Sequence, residues 1–125
     1  MTGAQVLKTA LQLLNYTDQN GQVNSANSQE YFGRGLAVIN QIYADLWNMR
    51  DTNGVFVPLS DINQNIALDE DVCRNAMVYG VAMLMAQSIG DGDNQAMYAS
   101  LYNKRRTYNA RSSRRIDALP RGCDW

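Results

Sequence analysis

The chain has 125 residues, a net charge of −1 and no histidine, and 46% of its residues are hydrophobic. This length suits one domain with a single core, and no apolar run approaches the roughly 18 residues that a membrane span needs. The first residues also lack the basic-then-apolar pattern of a secretion signal. We therefore expect a protein that is made and used in the cytoplasm and does not enter a membrane.

Two amphipathic helices are predicted in the first 50 residues. Residues 3–15 form the first, with Thr2 placed to cap it and an apolar stripe at helical spacing: Val6, Leu7, Ala10, Leu11 and Leu14. Residues 28–50 form a longer second helix, with a stripe of the same kind: Phe32, Leu36, Ile39, Tyr43 and Leu46. Gly33 and Gly35 weaken this helix by about 1 kcal/mol each relative to alanine, which suggests close approach by a neighbouring helix or subunit. The segment between the helices, residues 15–28, has loop composition and is predicted to be a connector.

Residues 55–68 are the only part of the chain with β-like composition. Val55, Phe56 and Val57 form a short extended run, and Pro58 restricts any strand there to an edge or a start. The apolar residues that follow are predicted to anchor the segment to the helices: Leu59, Ile62, Ile66 and Leu68. We expect either a small hairpin or an irregular strap.

The third helix, residues 69–89, is predicted to be the hub of the fold. Asp69, Glu70 and Asp71 suit a helix N-terminus, and apolar residues then occupy most of the circumference, so this helix needs neighbours on several sides. Cys73 falls inside it and is expected to be a small apolar filler. Cys123, near the end of the chain, is expected to be an exposed thiol.

A fourth helix is predicted over residues 93–112, antiparallel to the third across the turn GDGD at 90–93. Glycine suits the left-handed end of the third helix, and Asp93 is placed to cap the fourth. The inner side is expected to carry Met97, Tyr98, Leu101, Tyr102 and Tyr108, and the outer side Lys104, Arg105, Arg106 and Arg111. Residues 113–125 have too little apolar content to fold alone. The prediction is an all-α bundle of about four helices (1–112) with an extended basic tail (113–125).

Charge is strongly segregated along the chain. Residues 104–121 carry seven basic residues and one acidic residue, whereas residues 1–103 carry four basic and ten acidic residues. Six of the seven basic residues are arginine, whose planar fork suits carboxylates and phosphates and stacks on aromatic rings. A solvated helix face is the ordinary explanation of such a run. Two partners also fit it: an acidic protein surface, including the body of a second copy, or the phosphates of nucleic acid.

No arrangement of residues indicates catalysis. Without histidine the commonest general base is missing, and the only glutamates, Glu30 and Glu70, fall near helix starts, where capping explains them. Asp91 and Asp93 lack the further ligands of a calcium loop, and two cysteines are too few for a zinc site or a disulfide framework. We expect no enzyme activity, no metal site and no cofactor.

The order and character of these segments resemble the head–tail connector (adaptor) proteins of tailed bacteriophages and prophages. The similar features are the opening helix TGAQVLKTALQLLN, the long second helix YFGRGLAVINQIYADLWNMRD, the linker PLSDINQNIALDEDV, the hub NAMVYGVAMLMAQSIGDGDN and the fourth helix AMYASLYNKRRTYNAR. The resemblance covers nearly the whole chain and includes no catalytic or metal-binding motif.

The resemblance implies a structural protein of the virion. In that family each subunit is a small helical bundle, and the subunits form a ring, commonly of twelve, below the portal vertex. The ring extends the DNA channel and presents a docking surface to tail or stopper proteins. The chain would then assemble in the host cytoplasm and end at the head–tail junction.

The resemblance and the charge segregation point to the same end of the chain. Residues predicted to bind the portal ring or packaged DNA are Lys104, Arg105, Arg106, Arg111, Arg114 and Arg115, with Ile116, Leu119 and Trp125 as apolar anchors. The alternative function is a small nucleic-acid-binding module that uses the same Arg-rich end.

Overall fold

Four helices make up the described part of the chain, which in this computed structural model comprises residues 1–14, 28–49 and 54–118. Helix α1 is Gly3–Leu13, α2 is Ser28–Asn48 and α4 is Gly92–Ala118. Helix α3 covers residues 70–89 in three consecutive parts: an α-helical turn Glu70–Val72, a π-helical stretch Cys73–Met77 and an α-helical part Val78–Ile89. The described residues contain one isolated β-bridge, between Thr2 and Asn65, and no strand. The all-α prediction is confirmed.

The helix boundaries follow from local capping. Thr2 and Gln5 form a reciprocal capping box at the start of α1, as the position of Thr2 predicted. Helix α3 ends at Gly90, whose φ of 84° is the left-handed conformation that glycine adopts without strain. The cap of α4 is Asp91, which accepts a hydrogen bond from the Asn94 amide at 3.3 Å. The prediction that Asp93 caps this helix was wrong, because α4 begins one residue earlier than expected.

Helix α3 is the centre of the fold and packs against α1, α2 and α4. Its buried residues lie on most of its circumference, as predicted, and Cys73 is a fully buried filler. The α1 stripe is buried throughout. Gly35 of α2 lies against the Leu7 side chain, so this glycine does serve close helix approach, whereas a Cβ on Gly33 would meet nothing within 4 Å.

The strap, residues 54–68, runs irregularly over the bundle. Its predicted anchors are confirmed: Leu59, Ile66 and Leu68 are buried, and Ile62 packs against the core. The side chain of Asn40 holds the backbone of Leu59 with two hydrogen bonds, donated to its carbonyl oxygen at 2.9 Å and accepted from its amide at 2.8 Å. The Tyr43 hydroxyl accepts from the Ala67 amide at 3.0 Å.

Helix α4 differs from the prediction in its length and in two side chains. It continues to Ala118, so residues 113–118 of the predicted extended tail are helical. Met97 is 48% exposed, although it was predicted to face inward, and Arg106, predicted to face outward, points to α2. Tyr98 and Tyr102 are buried, as expected.

Several predictions fall on residues outside those the structure describes. These are residues 15–27 of the predicted connector, and Leu119, Cys123 and Trp125 near the end of the chain. For Phe32 and for residues 108–118 the structure describes the helical backbone only. Within the described ranges, no helix combines the length and apolarity needed to cross a membrane.

Candidate interaction site at the basic end

Three polar side chains join α4 to α2, and we call Asp45, Tyr102 and Arg106 the clamp. The Arg106 guanidinium donates two hydrogen bonds to the Asp45 carboxylate, from Nε to Oδ2 and from Nη2 to Oδ1, both at 2.8 Å. The Tyr102 hydroxyl donates to the same Oδ2 at 2.5 Å. This two-pronged geometry is the strongest form of an arginine–carboxylate pair. About a third of each charged side chain remains exposed: 30% for Arg106 and 37% for Asp45.

The clamp favours the ionised form of Asp45. Burial by itself raises the pKa of this carboxyl, but the hydrogen bonds from Arg106 and Tyr102 and the charge of Arg106 outweigh it, so the pKa lies below its ordinary 3.8. Burial and the hydrogen bond to Asp45 raise the pKa of Tyr102. The hydrogen bond to Asp45 also raises the pKa of Arg106. The clamp is therefore a fixed ion pair at neutral pH.

Glycine at position 80 of α3 allows the Tyr102 ring to reach the clamp. A Cβ on Gly80 would lie 2.8 Å from Tyr102 Cε1 and 2.9 Å from Ile42 Cδ1, closer than real Cβ contacts come. Because Gly80 has no side chain, α3 lies directly against the Tyr102 ring and the Ile42 side chain. The ring of Tyr102 therefore packs in the core, and its hydroxyl reaches Asp45.

Lys104 and Arg105 form the outer, exposed face of α4 at the level of the clamp. The Arg105 guanidinium lies over the Tyr79 ring, 5.8 Å from its centroid, in the range of cation–π attraction. Tyr79 in turn stacks on Tyr98 with ring centroids 6.1 Å apart and planes 18° apart, and the Tyr98 hydroxyl donates to the Leu13 carbonyl at 2.9 Å. The cationic face is thus supported by an aromatic layer that reaches α1.

Helix α4 continues well beyond the clamp. It continues for twelve residues past Arg106, to Ala118, a length of about 18 Å, whereas α2 ends three residues past Asp45, at Asn48. We call residues 104–118 the basic end. Its helical backbone carries five of the cations predicted to bind a partner in addition to Arg106: Lys104, Arg105, Arg111, Arg114 and Arg115.

The structure divides the predicted partner-binding residues into groups. Lys104 and Arg105 are exposed and available, whereas Arg106 is engaged by Asp45 and positions the helix. Arg111, Arg114, Arg115 and Ile116 lie on the helical segment beyond the clamp, and Leu119 and Trp125 follow outside the described residues. One helix therefore carries the predicted cations.

The clamp was not identified from the sequence. Asp45 was treated as part of the acidic body, and Tyr102 and Arg106 were assigned to opposite sides of α4. Two signals were available: Tyr102 and Arg106 are four residues apart and so share a helix face, and Asp45 follows Ile42 by three residues and so adjoins the apolar stripe of α2.

A groove of about 450 Å³ lies between α1 and α3. Its lining residues are Met1, Gln5, Lys8, Thr9, Gln12, Glu70, Arg74 and Val78. Glu70 is the single carboxylate in this lining, and it is paired with Arg74 at 3.0 Å. The lining therefore lacks the two carboxylates that acid–base hydrolysis uses.

Comparison with known proteins identifies no relative of this chain. No protein-family model matches the chain, and neither the curated proteins nor the solved structures contain a significant match.

Proposed function

We propose that this protein is a structural subunit of virion assembly, a head–tail connector that forms a ring below the portal of a tailed phage or prophage. The observation that carries the proposal is the basic end: a helix that carries five further cations in its sequence and continues for twelve residues beyond the clamp that holds it to the bundle. Such a helix suits insertion against an acidic partner surface, because arginine pairs with carboxylates in a fixed geometry. The proposed partners are the portal ring, tail or stopper proteins, and further copies of the chain.

The charge segregation supports ring formation by copies of the chain. Residues 1–103 have six more acidic than basic residues, and residues 104–121 have six more basic than acidic residues. Opposite patches on one molecule favour head-to-tail contacts, and contacts of this kind close into a ring when the rotation between subunits allows it. Charge complementarity of this type mainly determines which partners meet and how fast.

The experiment that tests the proposal measures binding to the purified portal ring of the same phage or prophage. The test variant is Arg114→Glu/Arg115→Glu, on the helical segment beyond the clamp. The matched control is Lys8→Glu/Arg74→Glu, on the groove between α1 and α3, which changes the net charge by the same amount. Light scattering would follow the mass of the chain with and without the portal, at about 0.05 and 0.5 M salt.

We expect the unchanged chain to form a stoichiometric complex with the portal. The basic-end variant should bind at least about tenfold more weakly, a loss of about 1.4 kcal/mol or more, whereas the control variant should bind within about threefold of the unchanged chain. If the basic-end variant binds the portal as tightly as the control variant does, the basic end is not part of the interface. A chain that stays monomeric beside the portal would remove the connector function itself.

A small nucleic-acid-binding module is the second candidate function. It is favoured by the exposed pair Lys104 and Arg105, with Arg105 placed over Tyr79, since cations beside aromatic rings are common in nucleic-acid grooves. Duplex DNA binding that persists at about 0.15 M salt would favour this function. If DNA affinity falls steeply with salt and binding is lost at about 0.15 M, the contact is only the non-specific one expected of a channel lining.

A further inference from the structure

The groove between α1 and α3 has more cations than anions in its lining. Lys8 of α1 and Arg74 of α3 both line it, and Glu70 is the single carboxylate among the lining residues. Its volume of about 450 Å³ falls in the range of about 300–1,000 Å³ that small-molecule sites occupy. No lining residue belongs to the clamp or to the basic end, so the proposed function makes no use of this groove.

The unpaired polar groups of the groove are mainly hydrogen-bond donors. Lys8 and Gln12 are exposed, and within the described residues neither side chain makes a hydrogen bond or an ion pair. Lysine has only donors, and the glutamine amide adds two donors and one accepting oxygen. The neighbouring α1 groups are already used: the Gln5 side-chain oxygen accepts from the Thr2 amide, and the Thr9 hydroxyl donates to the Gln5 carbonyl. This lining therefore suits a ligand that supplies acceptors.

Arg74 is only weakly engaged by its own chain. Its Nη2 donates to the Glu70 carboxylate at 3.0 Å, and the two side chains are 63% and 58% exposed. An exposed ion pair of this kind contributes little, because water screens it, so an incoming anion can displace Glu70 at little cost. The guanidinium also has N–H donors beyond the one that Glu70 uses. Arg74 can therefore pair with a carboxylate or a phosphate of a ligand.

The walls of the groove are fixed before any ligand binds. At the start of α1, the Ala4 amide donates to the Ile62 carbonyl of the strap at 2.7 Å. The Met1 carbonyl, at the rim, accepts from the Ile66 amide at 2.9 Å. The α3 wall passes through the π-helical stretch Cys73–Met77, and such stretches within α-helices are frequent at functional sites. A preorganised lining loses little conformational freedom when a ligand binds.

We propose that this groove binds a small anion that carries at least two carboxylate or phosphate groups. Two anionic groups match the two cations: Arg74 supplies a planar fork that pairs with two oxygens of one group, and Lys8 supplies a point charge for the other. The Gln12 amide adds a neutral donor. This inference does not rest on the proposed function.

The test titrates the full chain with citrate, a tricarboxylate, and separately with pyrophosphate. Both titrations are made at about 0.15 M salt, which screens non-specific attraction, and backbone amide chemical shifts locate the bound anion and give its affinity. The test variant is Lys8→Gln/Arg74→Gln, which removes both cations of the groove. The matched control is Arg114→Gln/Arg115→Gln, which removes the same charge from the basic end.

We expect saturable shifts in residues 5–12 and 70–78, with a dissociation constant below about 1 mM for at least one of the two anions. The groove variant should bind at least about tenfold more weakly, and the control variant within about twofold of the unchanged chain. A third variant, Glu70→Gln, should bind about two- to fivefold more tightly, because it releases Arg74 from a competing carboxylate.

The two anions distinguish the sources of the ligand. Tighter binding of citrate, with these effects of the variants, assigns the groove to a polycarboxylate, and tighter binding of pyrophosphate assigns it to a phosphorylated molecule. Equal weakening by the control variant would mean that anions bind to cations anywhere on the chain, and it would overturn the site. Absence of saturable shifts in the groove, or an unchanged affinity of the groove variant, would also overturn it. Portal binding is measured separately, so its absence would leave the groove site standing.

Discussion

At the residue scale, the position of α4 depends on the carboxylate of Asp45. Replacing it by asparagine keeps the shape but removes the charge that two hydrogen bonds from Arg106 and one from Tyr102 use. We expect Asp45→Asn to lower the free energy of unfolding by about 1–2 kcal/mol at neutral pH, since the pair is charged but partly exposed. Denaturant unfolding of both proteins measures this difference.

The pH dependence of that difference identifies its cause. Because the folded-state pKa of Asp45 lies below its ordinary 3.8, the ion pair stabilises the fold above that pH, and the contribution is lost as the pH falls further. The difference between the two proteins should therefore be constant from neutral pH to about pH 5 and should shrink towards about pH 3. A difference that stays the same throughout would mean that packing, and not charge, holds α4.

Gly80 is the second residue on which the clamp depends. Gly80→Ala places a Cβ within 3 Å of both Tyr102 and Ile42, and overpacking of this kind costs about 1–3 kcal/mol, partly offset by about 1 kcal/mol of helix propensity. Gly33→Ala is the matched control, because its Cβ meets nothing within 4 Å, and it should stabilise the protein by about 0.5–1 kcal/mol. Thermal unfolding of both variants measures the shifts. Stabilisation by Gly80→Ala would show that α3 does not pack closely against the Tyr102 ring.

At the scale of elements, Asn40 joins the strap to α2. Its side-chain amide both donates to and accepts from the Leu59 backbone. Asn40→Asp removes the donor and places a negative charge beside the Leu59 carbonyl, so we expect a loss of about 1–3 kcal/mol of stability. Amide exchange should become faster in residues 59–66 and stay unchanged in α1. Unchanged exchange in the strap would mean that its buried apolar anchors hold it alone.

The apolar period predicted the helices, and what it missed has physical causes. The stripes of α1 and α2 were identified because a helix repeats its buried face at a fixed spacing. The Asp45–Tyr102 bond joins residues 57 positions apart, and no local pattern shows which polar groups will meet across such a distance. The end of α4 was placed too early because residues 113–125 have too little apolar content to fold alone. Extending a formed helix is less costly than starting one, and the neighbouring alanine and arginine residues favour it.

At the scale of the whole molecule, the buried core and the cations proposed to bind a partner lie in different parts of the chain. Every buried residue in the described core lies at or before Tyr102, and the clamp closes at Arg106. Four basic residues follow residue 106. A chain that ends at residue 112 keeps the core and the clamp but loses Arg114, Arg115 and Arg121. Removal of these cations should therefore affect association far more than stability.

We expect this shortened chain to unfold cooperatively, with a melting temperature within about 4 °C of the full chain, equivalent to a loss below about 1 kcal/mol. At low salt, the Arg114→Glu/Arg115→Glu variant is expected to bind the portal ring about tenfold more weakly than the unchanged chain. The shortened chain should bind more weakly still if Ile116, Leu119 or Trp125 adds apolar contact. At about 0.5 M salt the charges are screened. The difference in portal affinity between the shortened chain and the Arg114→Glu/Arg115→Glu variant should then measure the apolar contribution alone. A shortened chain that melts far below the full chain would place residues 113–125 in the folding unit. One that binds the portal normally would move the interface onto the bundle.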